Sequence, residues 1–210
     1  MPGKTALIDL HYLPSLEYFA CIHSFDHIIF EAYENYQKQT YRNRCYIRAA
    51  NKIQLLTVPV VKEKDKVLTK DVRICYNQKW WKEHMRSLAS AYGKAPYFQF
   101  YSEIFERIYQ KKIVFLFDLN LEFMTICLEL LSYNKTISLT ESYSKIPPEG
   151  VFDARGRISP GRSWQANGFY RPEPYNQVFG KEFDENLSVI DLLYNEGKNG
   201  RQIIAASAVN

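Results

Sequence analysis

Apolar and polar positions along the first third of the chain predict a strand, a helix and a second strand in succession. Residues 5–10 (TALIDL) are a short apolar run with the length of a buried strand. Pro14 interrupts it. Ser15 then stands where a hydroxyl can cap a helix opening at Leu16, and Glu17 falls in the first turn, where the helix dipole favours a carboxylate. Leu16, Phe19, Ala20 and His23 recur at helical spacing, residues 24–26 end the helix, and residues 27–32 (HIIFEA) form the second strand. A strand–helix–strand crossover makes its two strands parallel.

Residues 33–50 are polar and rich in Tyr, Asn, Gln and Arg, and read as a loop followed by a short helix or strand. Residues 53–61 (IQLLTVPVV) predict a third strand broken by Pro59, residues 67–76 a fourth, and residues 62–66 a charged hairpin tip between them. Trp81, Met85, Leu88 and Tyr92 mark a helix over residues 79–92, stopped by Gly93 and Pro96. A second helix, 97–110, carries Phe98, Tyr101, Ile104, Phe105 and Ile108 on one side. A third, capped by Asp118 or Asn120, runs to about Tyr133, and residues 136–140 form a short strand. Residues 145–174 hold five of the nine prolines and read as a long loop, a kind that is usually functional or mobile. Helical spacing resumes over 186–195, with Gly197 as its stop. The pattern predicts one α/β domain over residues 1–210: an α/β core (5–140), a Pro/Gly-rich loop region (141–185) and a C-terminal helical segment (186–210). The expected fold is a Rossmann-like N-terminal βαβ half continuing into a mixed sheet packed with helices.

Composition changes this picture little. The chain has 210 residues, 46% hydrophobic and 24% charged, which are globular values with enough length for a sizeable core. The net charge of +4 is too small to argue for nucleic acid as the partner. Four dispersed cysteines lack metal-ligand spacing and read as reduced thiols. No secretory signal opens the chain and no run reaches the ~18 apolar residues of a membrane helix, so a cytoplasmic location without a membrane span is expected.

The distribution of charge is more informative. Glu31 closes the second strand, and ligands of open α/β sheets bind beyond the carboxyl ends of strands. Glu34 follows. Residues 35–61 then contain Lys38, Arg42, Arg44, Arg48 and Lys52 with no acid between them. Such a run is either a solvated face or a site for an anionic small molecule, since arginine offers paired donors to phosphate or carboxylate. Gln37, Tyr41 and Asn43 add groups that can orient a substrate. His11, at the end of the first strand, is either a half-buried histidine with a backbone partner or a proton acceptor beside Glu31 and Glu34. His84 either covers the pocket mouth or lies on a helix surface. Arg155 sits in a loop that is either a lid over an anion or a linker, and Tyr175 can contribute from the far side. No two histidines have metal spacing, and the cofactor is left open. Glycine-rich phosphate loops and a GxSxG elbow are absent. The opening layout is similar to nucleotidylyltransferase-like Rossmann domains, but their HxGH motif is missing from residues 14–19.

Several motifs together resemble the WbqC-like protein family. They are Tyr12-Leu13-Pro14 with Tyr18-Phe19, Asp26, an acidic strand end, Tyr41-Arg42-Asn43-Arg44, Leu56-Thr57-Val58-Pro59-Val60, Trp80 with His84, and the segment from Tyr92 and Gly93 to Tyr97 and Phe98. Residues 175–179 and 186–193 resemble the family's closing segment. Two positions depart from its commoner pattern: Leu10-His11 stand for Gln-Pro, and Glu31 and Glu34 for a pair of aspartates. The resemblance implies a place among bacterial surface-polysaccharide genes, including O-antigen clusters, and for some members an aminoacyl (glycyl) transferase role. It points to a transferase acting on a sugar or sugar nucleotide. In that reading His11, Glu31 or Glu34 takes the proton. Arg42, Arg44 and Arg155 hold the anion (a sugar phosphate, sugar nucleotide or carboxylate). Tyr12, Gln37, Tyr41, Asn43, His84 and Tyr175 complete the substrate site. The alternative is a non-catalytic module that binds a glycan or another protein of the assembly machinery.

Overall fold

A computed structural model describes residues 3–62, 65–180 and 182–209. The opening folds as its pattern predicts. β1 (Thr5–Asp9) leads through α1 (Leu16–His23) to β2 (His27–Glu31), and the Ser15 hydroxyl accepts the Tyr18 amide at the start of α1. β1 and β2 are parallel, with Asp9 level with Glu31. β5 (Thr136–Leu139) adds to the outer side of β2 and β6 (Val151–Asp153) to the outer side of β1, both parallel, so the sheet runs β5-β2-β1-β6. The antiparallel strands β3 (Arg44–Arg48) and β4 (Ile53–Thr57) form a separate two-stranded sheet rather than extending the first.

Between and after these lie α2 (Trp80–Tyr92), α3 (Phe98–Gln110), α4 (Leu116–Leu130), the single turn α5 (Trp164–Asn167), α6 (Val189–Glu196) and α7 (Gly200–Ser207). Ala6, Ile8, Ile28 and Phe30, on one face of the parallel sheet, are wholly buried in the core. Phe105, Tyr109, Phe123 and Tyr194 make its aromatic centre, with ring centroids 5.0–6.0 Å apart. The opposite face, with Leu7, Ile29, Asp9 and Glu31, is covered otherwise. No helix lies in the connection from β5 to β6, and Pro147 and Pro148 of that connection close a cleft of about 290 Å³ with Leu7, Ile29 and Glu31. Parallel sheets normally carry helices on both faces, so this loop takes the place of one layer.

Three expectations are corrected. Residues 67–76 are not a strand but a 3-10 turn (Thr69–Asp71) with isolated bridges. Their amides go to scattered partners, including Glu34, Ala32 and Val114, so no ladder forms. The predicted hairpin tip at 62–66 therefore has no second strand, and its Glu63 and Lys64 lie outside the described residues. β4 ends at Thr57, before Pro59, which has no amide to donate. Helix α4 starts at Leu116 without a side-chain cap: the Leu116 amide reaches the Val72 carbonyl at 2.9 Å, and Asn120 turns its amide to the Arg42 carbonyl. The loop region also contains β6, and α7 follows Gly197. The four cysteines are free, and among the described residues no helix is long and apolar enough to cross a membrane.

Candidate functional site

Asp9 closes β1 and is buried. Its Oδ1 accepts the Gly156 amide at 2.8 Å, bringing in the turn that follows β6. Its Oδ2 lies 2.7 Å from His11 Nε2 and 3.0 Å from Arg42 Nη2. Arg42 is only 2% exposed, although it sits in the polar run before β3. The same guanidinium donates from Nε to Glu34 Oε1 at 2.7 Å, and Nη2 lies 2.7 Å from that oxygen. Beside this group, at the end of β2, Glu31 is wholly buried. Its Oε1 accepts the Tyr33 amide at 2.9 Å and the Thr140 hydroxyl at 2.8 Å, and its Oε2 accepts Arg155 Nη1 at 2.9 Å. Arg155 also clasps Asp153 through Nε and Nη2, donates to the Ser144 carbonyl, and places its guanidinium 5.3 Å from the Tyr143 ring. It thus ties the covering loop to the strand ends.

Four carboxylates (Asp9, Glu31, Glu34, Asp153) therefore share two guanidinium groups. Of the five basic residues in the acid-free run, Arg42 is cancelled here and Arg48 pairs with Asp184 at 2.6 Å, and neither Arg42 nor Arg155 is left bare for an external anion. Burial raises the Asp9 carboxyl, but His11, Arg42 and the Gly156 amide outweigh it and hold the group far below the usual carboxylate range. Burial lowers His11 against the opposing pull of Asp9, so the imidazole is neutral near pH 7. Glu34 is raised by burial, with Arg42 opposing and Asp9 and Glu31 adding to the rise. Asp9 thus stays ionised where Glu34 more readily holds a proton.

The turn leaving β1 is strained: Leu13 is buried at φ +41°, a region that bulky residues avoid. The C-terminal segment holds it there. Ser188 donates its hydroxyl to the Leu13 carbonyl at 2.7 Å, and the Val189 amide donates to Pro14 at 2.7 Å.

The other sequence candidates fall in three places. Tyr41 is half-buried, with its ring 5.5 Å from that of His11, and Gln37 is exposed. Asn43 is buried, its amide on the Val58 carbonyl at 2.9 Å and its Oδ1 without a protein partner. Arg44 is half-buried and its Nε has none either. Tyr12 and His84 meet in the aromatic core: His84 Nδ1 lies 2.9 Å from the Tyr12 hydroxyl, which also meets Tyr109. The helix-surface expectation for His84 is corrected, since α2 turns it inward against Trp80. Tyr175 donates to buried Asp191 at 2.5 Å, in a cluster with Gln177 that anchors the C-terminal segment.

With this geometry in view, the family can be settled. The model of the WbqC-like protein family matches residues 10–152, more than half of the chain. The chain belongs to the WbqC-like protein family. No curated protein and no solved structure matches it. The matched span of this WbqC-like protein contains His11, Glu31, Glu34 and Arg42; Asp9, Asp153, Arg155 and Gly156 complete the cluster from just outside it. Asp9 escaped the sequence reading because one acid inside TALIDL does not disturb a strand pattern. The available signal was an acid at the last position of an otherwise apolar strand.

Two outcomes follow from these contacts. Arg42→Ala leaves two acids buried without their counter-ion and should cost about 3–5 kcal/mol in urea unfolding at pH 7, a deficit that shrinks as pH falls and the acids protonate. His84 is pushed down to about 4 by burial. The unfolded chain therefore takes up this proton first, and stability is lost as pH falls from 6.5 to about 4, by up to about 3 kcal/mol. His84→Gln should remove that component, so unfolding curves of the two proteins should converge as the pH is lowered.

Proposed function

We propose that this WbqC-like protein is a transferase that modifies a sugar or sugar nucleotide in bacterial surface-polysaccharide biosynthesis, with aminoacyl (glycyl) transfer as its chemistry. The observation that carries the reading is the convergence of the His11 and Asp9 pair with the Glu31 and Arg155 pair at the carboxyl ends of two adjacent parallel strands. In open α/β sheets ligands bind where the strand order reverses. Here that point lies between β1 and β6, where the Gly156 amide meets Asp9. The cleft beside it, about 290 Å³, has an apolar floor of Leu7 and Ile29 and hydroxyls at Ser138, Thr140, Ser142 and Ser144, a lining suited to a sugar ring.

In this mechanism an amine or hydroxyl of the acceptor attacks the acyl carbon of an activated donor. The new bond to carbon forms as the bond to the donor's leaving group breaks. The acceptor proton passes to His11, Glu31 or Glu34, and from there to the leaving group. No covalent enzyme intermediate is needed. Because Arg42 and Arg155 are already paired, the donor's anionic part goes to Arg44 and to the cavity of about 440 Å³ whose polar lining is Tyr36, Lys38 and Lys66 with one acid, Asp65. Tyr41 and Asn43, the latter through its unpaired Oδ1, orient the acceptor. A non-catalytic glycan-binding module is favoured by one observation, that both Glu31 oxygens are already bonded within the protein.

Thermal unfolding in the presence of sugar nucleotides and of aminoacyl donors separates the two. A ligand at a hundred times its Kd adds about 2.7 kcal/mol to the native state. The transferase reading expects a rise of several degrees with a member of each class, and loss of the aminoacyl-donor shift in Arg44→Ala. Shifts with glycans but with neither activated class would leave the module.

A further inference from the structure

The mechanism above leaves three groups able to take the proton, and one of them is distinguished by its hydrogen bonds. We infer that His11 is the proton acceptor through Nδ1, and that Asp9 is the positioning residue that fixes the imidazole in the required tautomer. The role of Nδ1 toward substrate rests on the transferase reading; the tautomer does not.

Asp9 is an acceptor at both oxygens. Oδ1 takes the Gly156 amide and Oδ2 faces Arg42, so the carboxylate is ionised and has no proton to offer. The 2.7 Å contact to His11 Nε2 is then a bond donated by the imidazole. A neutral imidazole has one N–H, so Nδ1 carries the lone pair. That nitrogen is buried, with no protein partner, on a residue only 1% exposed. A buried acceptor left unpaired is destabilising, and an N–H or O–H of a substrate would pair this one. Glu31 and Glu34, by contrast, hold arginine ion pairs that proton uptake would break.

The ring cannot easily turn over to exchange its nitrogens. Tyr18 packs at 4.8 Å between centroids and Tyr41 at 5.5 Å, and the Tyr18 hydroxyl is itself bonded to the Asp9 carbonyl at 3.0 Å. The charged groups facing His11 are Asp9, at contact distance, and Arg42 behind it. When Nδ1 takes a proton, the imidazolium forms against an ionised Asp9 whose position does not change, so the developing charge meets a ready counter-charge. Tyr41 is only half-buried. Of the two rings flanking the imidazole it is the less buried, and an acceptor oriented by Tyr41 approaches from its side.

Nitrogen NMR of histidine-labelled protein tests this without substrate, each of the four histidines being assigned by single replacement. In the native protein at pH 7, His11 should show a protonated Nε2 and an unprotonated Nδ1, and at pH 6.5 it should remain neutral where an ordinary histidine is half charged. In Asp9→Asn the His11 signals should move toward a mixture of tautomers. A native His11 protonated on Nδ1 overturns the proposal even if the variant does not fold, as does an Asp9→Asn protein with unchanged His11 signals. A confirmed tautomer combined with undiminished transfer by His11→Gln would instead refute the catalytic reading and leave the Asp9–His11 geometry intact.

Discussion

A guanidinium group cannot be carried into a protein interior without anions to meet it, and the burial of Arg42 organises much of this fold. Its partners come from separate pieces of chain: Asp9 from the end of β1 and Glu34 from the segment after β2. The backbone of the same residue accepts Asn120 from α4. One side chain therefore joins the parallel sheet to the entry of the antiparallel pair, and its carbonyl joins both to the helical layer. Replacing such a cluster with apolar groups is often neutral or stabilising, so stability alone does not account for its presence at the strand ends.

The site depends on distant chain in the same way. Gly156 and Arg155 come from the loop region after β6, and Arg155 reaches both Glu31 and the covering loop at Ser144. The strained Leu13 turn, two residues after His11, is held by Ser188 and Val189 of the C-terminal segment. Residues beyond the span matched by the family thus complete a centre whose core lies within it.

Local signals were legible in the sequence. The Ser15 cap, the paired strands β1 and β2, and the seam of α3 follow from short-range patterns that tertiary structure did not override, whereas the seam of α2 is rotated: Trp80, His84, Leu88, Ala91 and Tyr92 are buried, and Trp81 and Met85 only half-buried. The polar run containing Glu31, Glu34 and Arg42 was legible too. Pairing between those charges was not legible, because a run of basic residues looks the same whether its counter-charges lie in solvent or on another strand. Asp9 was hidden in an apolar strand, β6 is too short to show a period, and residues 67–76 have strand-like composition but spread their amides over several neighbours. Tyr12 and His84 were polar enough to suggest a site, yet each satisfies the other inside the core.

The central claim is that the strand-end cluster receives a ligand and is not only a structural knot. The most direct measurement is titration of uniformly labelled protein with sugar nucleotides and amino sugars while backbone amide resonances are followed. The account predicts that a binding ligand perturbs residues 9–12, the Tyr33 amide, residues 140–144 and the Gly156 amide together, and that His11→Gln weakens the response. Perturbations confined to the apolar cavity between Ala20, Phe25 and Phe169, away from these strand ends, would contradict it.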